Sequence, residues 1–518
     1  MIRAASPLPP ESHREDTLRA RPLGIDTYQE PVVYMRWDCA VCRSEGFASQ
    51  SRVRLSGNGH SFVATLNVVH GDWLDHGEAG LSDIAWVLLG SEAPCPVTFS
   101  HPEPVESFRH VRAKLFGNTL AADAFDAVVN DVALRRYTDV QLSAFLAACI
   151  GDRMTSDEVV ALTRAMVAAG RRLDWSLPAV FDKHCVGGLP GNRTTPIVVA
   201  IAAACGVVMP KTSSRAITSP AGTADTMETL TRVDLSLEDM RRVVELEGGC
   251  LVWGGAVDLS PADDVLIRVE RALDLDSEAQ LIASVLSKKI AAGSTHTVID
   301  IPTGPTAKVR DQATAERLSA VLRQTGTKLG LNVQVVITDG SQPVGCGIGP
   351  ALEARDVLAV LKGEPDAPGD LRARAALLAG KVLEASGHAQ HGAGTAKALA
   401  VLGDGRAWRK FKAICGAQGG LRAPPVASHR QAVVADRAGR VTAIDNRRLA
   451  KLAKLAGAPN APAAGVDLHA HVGDLVEVGT PVMTVHAEAP GELVYSLGYL
   501  SRHADLMRIT DADEEATS

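Results

Sequence analysis

The residues with the most chemistry in them lie between Phe181 and Thr226, in FDKHCVGGLPGNRTTPIVVAIAAACGVVMPKTSSRAITSPAGTADT. Two glycine-rich turns that carry cations flank one apolar run, Pro196 to Val208, and each leads into a segment able to start a helix. Glycines let backbone N–H groups point inward, a lysine adds a point charge, and a helix N-terminus adds the positive end of its dipole. Together these make a cradle for a phosphate. Thr223 stands where AGTADTMETL begins a helix, so its hydroxyl and the backbone amides can both bond phosphate. Ser284 and Lys288 are four residues apart in a helical stretch and therefore share one face. His184, beside Lys183, is of the residue type that titrates near neutral pH.

The elements that must position these residues form a long chain. Its 518 residues exceed one core, so three or four domains are expected. Apolar content of 46 % and charge content of 22 % fit a globular protein in water, and a net charge of −7 argues against a nucleic-acid footprint. No apolar run is long enough for a membrane span, and the first sixteen residues read as a frayed tail without a secretory core. Nine scattered cysteines suggest reduced thiols in a cytoplasmic protein. Cys39 and Cys42 form a C-x-x-C with no second pair, which reads as two thiols in a β-turn; no metal site is expected.

The pattern predicts an α/β protein of several domains. Residues 1–100 read as a β-rich domain of short strands, with Gly57-Asn58-Gly59 as a hairpin turn. Residues 105–178 are helical throughout, with 261–293 packing against them; Ser156 with Val159 is not a capping box, although Asp157 and Glu158 suit a helix start. From 179 to 420 strands and helices alternate, which predicts a sheet with helices on both faces and the phosphate site within it. Ser277 and Gln280 have capping-box spacing ahead of SVLSKK, and GCGIGP at 345–350 opens another helix. Residues 425–518 alternate apolar and polar with glycine turns, like the flattened β-sandwich of biotinyl and lipoyl carriers. A carrier needs a lysine at its hairpin tip and none follows Lys454, so this reads as a structural β lid.

KHCVGG at 183–188, TSSRAITSPAGTADTMETL at 212–230, SVLSKK at 284–289, TDGSQPVG at 338–345 and the AQGG end, in this order, resemble the thymidine/pyrimidine-nucleoside phosphorylase family. The extra β domain and SRAITSPAGTADT resemble its type 2 branch, which holds archaeal AMP phosphorylases and bacterial thymidine phosphorylases. The resemblance implies a helical, an α/β and a C-terminal β domain, and a homodimer or larger homo-oligomer. It also implies phosphorolysis: orthophosphate, a co-substrate and not a cofactor, attacks the anomeric carbon of a nucleoside and releases the base.

By this resemblance the phosphate cradle is Lys183, Gly187, Gly188, Thr194, Thr195, Ser213, Ser214 and Thr223. Arg215, Ala216, Ile217, Thr218 and Ser219 fall on the nucleoside side, and Arg215 either touches substrate or pairs with a carboxylate such as Asp225. Ser284 and Lys288 are the positions that bind the base. The family's companion arginine is displaced, and Arg268 stands about one residue out of register. His184 and Asp276 compete as proton donor to the leaving base. Cys185 replaces a serine, and GLPGNR replaces a shorter acidic turn, which brings Asn192 and Arg193. Those two, with Lys308, are expected to raise the positive potential near the sugar and so to suit a 5′-phosphate. The implied substrates are therefore thymidine or a pyrimidine nucleoside, or alternatively AMP or another nucleoside 5′-monophosphate giving ribose 1,5-bisphosphate. A non-catalytic assembly protein keeping the fold is the remaining reading, and intact Lys183, Thr223, Ser284 and Lys288 speak against it.

Overall fold

The computed structural model describes residues 17–511 apart from 29, 217, 218, 258 and 274–276. The tail at 1–16 and the site residues Ile217, Thr218 and Asp276 therefore lie outside the described residues. The chain forms two compact units, Met1–Arg109 with Asp131–Thr138 and His110–Asn130 with Asp139–Ser518.

The first unit is built on a closed barrel. Its strands are β1 (Thr17–Pro22), β2 (Val32–Arg36), β3 (Arg52–Gly57), β4 (His60–Val69), β5 (Glu78–Leu81) and β6 (Cys95–Ser100), in the order β1-β5-β2-β4-β3-β6. Alternation drives it: Val53 and Leu55 of β3 and Ala64 and Leu66 of β4 are buried while Arg54 and Thr65 are not. Asn58 and Gly59 both take left-handed φ, 49° and 77°, as a two-residue hairpin turn requires. The C-x-x-C departs from its expected turn. Cys39, extended at φ −67° and ψ 153°, N-caps the short helix α1 (Ala40–Glu45) and accepts the Cys42 N–H at 3.3 Å. Helix α2 (Asp83–Leu89) completes this part, and all nine cysteines are free thiols.

Helices α3 (Phe108–Leu115), α4 (Ala122–Ala133), α5 (Asp139–Ala148) and α6 (Ser156–Ala168) precede the α/β sheet. A capping box does open α6, one residue earlier than the sequence pattern was read: Thr155 accepts the Glu158 N–H, and Glu158 answers the Thr155 N–H. Buried Glu158 also takes Lys114 Nζ at 2.5 Å and the Leu120 N–H at 2.8 Å. A carboxylate that looked like a helix-start charge is thus an internal tie.

The sheet begins with β7 (Phe181–Cys185), followed by α7 (Thr195–Ala204), β8 (Met209–Ser213), α8 (Thr223–Glu228), α9 (Leu237–Glu247) and β9 (Gly249–Trp253). Then come α10 (Pro261–Leu273), α11 (Glu278–Ala291), β10 (His296–Thr303), α12 (Gln312–Lys328) and β11 (Asn332–Asp339). Strands β11-β10-β7 are parallel, as are β8-β9, and the Phe181 N–H joins the two groups by donating to Val208 O at 2.9 Å. Each face has its own core, as alternation along a strand demands. Phe181 and Val298 pack with Ile197, Val198 and Ile201 of α7, whereas Ile299 and Ile301 pack with Ile282 and Leu286 of α11 and Val159 of α6. Burying each large aliphatic side chain of α7 is worth about 2 kcal/mol, so this helix is anchored and its N-terminus is a rigid place for a site.

The turn after β11 leads into β12 (Gly347–Ile348) and α13 (Pro350–Lys362); α14 (Gly369–Ala385), α15 (Gly394–Gly403) and α16 (Arg406–Ala417) follow. The C-terminal segment holds β13 (His429–Val434), β14 (Gly439–Ile444), α17 (Asn446–Leu455), β15 (Gly465–Leu468), β16 (Leu475–Val476), β17 (Pro481–Ala487), α18 (Pro490–Arg502) and β18 (Met507–Thr510). They form two antiparallel sheets, β12-β15-β17-β13 and β16-β14-β18. The segment is less purely β than its alternation suggested, because Pro490 at the first helical position starts α18.

Candidate active site

Lys183 leaves the middle of β7 toward the α7 face and is fully buried. Its ammonium donates to Thr194 Oγ1 at 2.7 Å and Thr195 Oγ1 at 3.5 Å, at the first turn of α7. Burial pushes its pKa below the ordinary lysine value, and Arg193 and Arg374 add to this against Cys185 and Asp300. A bound anion would reverse that shift. Gly187, at φ 91°, has no atom within 4 Å of where a Cβ would stand, so its surface is open. At Gly188, φ 79°, a Cβ would stand 2.5 Å from the backbone N of Lys308, so only glycine lets the IPTGPTAK loop approach this turn.

The second turn follows β8. Ser213 Oγ donates to Val252 O at 3.1 Å, and Ser219 Oγ to Ala221 O at 3.0 Å. Asp225 Oδ2 closes the loop by accepting the N–H groups of Ala216 at 2.6 Å and Gly222 at 2.8 Å. Thr223 is the first residue of α8, as the sequence indicated. Arg215 takes the carboxylate option: it bonds Asp225 at 3.3 Å and Glu228 at 2.5 and 2.8 Å, and lies 4.8 Å over the Trp253 ring.

The two polar side chains that GLPGNR brings are engaged by protein partners. Arg193 spends its guanidinium on Glu353 at 2.7 Å, on Thr223 Oγ1 at 2.7 Å and on Ala221 O at 2.8 Å. Glu353 is buried, which raises its pKa against the pull of Arg193, and it also accepts from Thr226 at 3.2 Å, so the guanidinium is committed to protein groups. Asn192 donates to Asp300 Oδ2 at 3.0 Å and Cys185 Sγ at 3.4 Å. Asp300 in turn accepts Thr338 Oγ1 at 2.6 Å, which ties the TDG motif to the cradle, and Arg374 donates to that hydroxyl at 3.1 Å. Burial, reinforced by Asp300, pushes the Cys185 thiol up to about 12, so it stays protonated.

The second group of candidate residues lies on α11. Lys288 Nζ reaches Ser284 Oγ at 3.4 Å and pairs with buried Asp263 of α10. Burial opposes the charge on Lys288, but Asp263, with Asp264 and Glu270, outweighs it and holds the pKa above the ordinary lysine value. The expected capping box at the start of α11 is only half formed: the Ser277 side chain accepts from Gln280, whose buried amide has no protein partner among the described residues. Arg268 is engaged by Asp139 of α5 at 2.5 and 2.8 Å and so serves helix packing.

His184 lies between the two sides, half-buried, and feels Lys183 from one and Lys288 from the other. Burial foremost, then Lys289, Lys211, Lys288 and Lys183, pushes its pKa well below 6.5. In the unliganded protein this favours the neutral imidazole, which can donate one N–H. Sequence reasoning missed Asp263, Asp300 and Glu353, the carboxylates that set the charges here. Nothing in their local patterns marks them, since each partner is far along the chain. Among the described residues no group of three His, Cys, Asp or Glu is placed to hold a metal ion, and no helix is long and apolar enough to cross a membrane.

Three family models match the chain: a glycosyl transferase family helical bundle domain over residues 109–170, a glycosyl transferase family a/b domain over 177–408, and a pyrimidine nucleoside phosphorylase C-terminal domain over 440–499. A protein named "Putative thymidine phosphorylase" from Polaromonas sp. is 62 % identical over 98 % of this chain and 99 % of its own. A relative of the same name from Hahella chejuensis is 60 % identical over 94 % of this chain and 97 % of its own. Among solved structures, anthranilate phosphoribosyltransferase from Thermus thermophilus aligns with 60 % of this chain and 98 % of its own, at 21 % identity and a TM-score of 0.49.

Proposed function

Because the chain belongs to the thymidine/pyrimidine-nucleoside phosphorylase family, we propose that it is a pentosyltransferase that cleaves thymidine or a pyrimidine nucleoside with orthophosphate. The products are the free base and a (deoxy)ribose 1-phosphate. The observation that carries this reading is a buried Lys183 bonded to Thr194 and Thr195 at the first turn of α7, with Lys288 and Ser284 together on α11 beside Asp263.

In the proposed reaction an oxygen of the hydrogen phosphate dianion forms the new bond to the anomeric carbon as the N-glycosidic bond breaks; that electron pair leaves with the base, and the proton the phosphate gives up on becoming the sugar ester neutralises it. Lys183, Thr194, Thr195, Thr223, the Ser213–Ser214 turn and the amides of Gly187 and Gly188 hold the dianion. Lys288, kept charged by Asp263, stabilises the growing charge on the base, with Ser284 beside it. Neutral His184 contributes a hydrogen-bond donor. No cofactor enters the scheme. The protein would work in the cytoplasm as a homo-oligomer, divided into the helical, α/β and C-terminal parts that the sequence suggests.

The commitment of Arg193 and Asn192 to protein partners favours a nucleoside over a nucleotide. The second reading, a nucleoside 5′-monophosphate as substrate, is kept by Lys308, whose backbone abuts Gly188 in the phosphate turn. A chromatographic screen with phosphate and thymidine, uridine, AMP, CMP or UMP tests both. Base release from the nucleosides is expected. Turnover of nucleotides alone would replace the first reading by the second, and no base from any of the five would end both.

A further inference from the structure

One buried ion cluster lies outside the substrate-facing groups but touches both halves of the site. Asp182 is fully buried on β7, with Lys211 of β8 and Lys289 of α11 buried around it. Its Oδ1 takes Lys211 Nζ at 2.9 Å and the backbone N–H of Lys183 at 2.6 Å, and its Oδ2 pairs with Lys289 Nζ at 2.7 Å. Burial pushes Lys289 down to about 7 against the pull of Asp182, so two lysines compete for one buried carboxylate. Stability alone does not favour that arrangement, since apolar residues of the same size often stabilise as well or better.

Its placement in the sequence and on the sheet is informative. Asp182 immediately precedes Lys183, and Lys289 immediately follows Lys288. On a strand successive side chains point to opposite faces. Lys183 goes to the α7 face, and Asp182 goes with His184 to the face covered by α11. Consecutive helix positions also diverge, so Lys289 reaches down to Asp182 while Lys288 reaches Asp263 and Ser284. The carboxylate is thus one residue from each half and bonded to both.

We infer that Asp182, with Lys211 and Lys289, is a positioning clasp that holds the helix bearing Ser284 and Lys288 in register with the strand bearing Lys183 and His184. This rests on the proposed phosphorolysis, in which attacking phosphate and departing base must face one sugar carbon. Small errors in that alignment are costly, about a hundredfold for about 1 Å. Each half keeps its own ligand contacts without the clasp, so loss of the clasp should impair the chemistry more than the binding of either ligand.

The test uses the full chain with Asp182→Asn, which keeps shape and removes charge. Inorganic phosphate and thymine are titrated singly by calorimetry, and phosphorolysis is followed with both substrates. Affinities for the single ligands within about threefold of wild type, with kcat reduced about a hundredfold, are expected. An unchanged kcat in the folded variant overturns the clasp, as does a loss of phosphate affinity alone that matches the loss in kcat. If Asp182→Asn does not fold, Lys289→Met leaves the Asp182–Lys211 pair and must show the same split, with partial rescue by Lys289→Arg. Hydrogen exchange reads the clasp without turnover. Amides of α11 lose protection in the variant while those of β11 keep theirs; equal loss in both counts against it. A wild type that releases no base, with this exchange pattern intact, would refute the proposed function and leave the clasp standing.

Discussion

The two halves of the site are built by opposite strategies. The phosphate half consists of backbone turns, neutral hydroxyls and one buried lysine, on strand ends and the first turn of an anchored helix. The base half consists of two side chains on one helix face whose charge is set by a carboxylate on another helix. Phosphate is a compact anion that asks for many donors in a fixed geometry, which contiguous turns supply. A departing base asks for a cation that stays charged while half out of water, and that requires a partner from elsewhere.

The largest break in this comparison should come from the phosphate half. Lys183→Ala is expected to lower kcat/KM by about 10²–10³-fold or more, since it removes the central donor to the dianion. Wild-type rates in that variant would dismiss the cradle. Lys288→Met should cost about a hundredfold in kcat while phosphate affinity, measured by calorimetry, stays as in wild type. A parallel loss of phosphate affinity would show the halves are not separate.

Asp263→Asn sharpens the contrast through pH. The carboxylate favours charged Lys288 against burial, so removing it lowers that lysine's pKa. The alkaline limb of the pH–rate profile should move toward neutrality by about one to three units, whereas Lys183→Ala should not shift the limb of its residual activity. An unmoved limb in Asp263→Asn would mean another group sets it.

The smallest effect is expected at His184. A neutral ring loses only a hydrogen bond on replacement, so His184→Asn should cost about tenfold, against the 10²–10⁴-fold of a general acid. Its stability effect has a definite sign. Its folded pKa lies below the unfolded value near 6.5, so its contribution is present above that pH and lost as pH falls below it. Urea midpoints at about pH 7.5 and about pH 5.5 should differ more in wild type than in His184→Asn. An acid limb near 6.5 that disappears in the variant would restore the imidazolium acid.

The same contrast explains what could be read without coordinates. Gly187, Gly188 and Thr223 were legible because turn conformations and helix starts are local properties of the chain. So were the barrel's Asn58-Gly59 hairpin and the strands β10 and β11. The capping box of α6 was missed although Thr155-x-x-Glu158 has its spacing, because Ser156, with Val159 three residues on, was read as the helix start. The Cys39 cap and the helix after Pro490 were missed for another reason: short polar–apolar patterns fit a turn, a strand or a helix until packing chooses.

By itself the sequence determined the family resemblance, the glycine turns proposed to hold phosphate and the shared face of Ser284 and Lys288, all of which depend on residue types at short, fixed spacing. Only the tertiary structure decided the charges. It paired Arg193 with Glu353 and Lys288 with Asp263, and through burial it lowers the pKa of His184. Electrostatic energies depend on distance and desolvation across chain segments far apart in sequence, and neither exists before the chain folds.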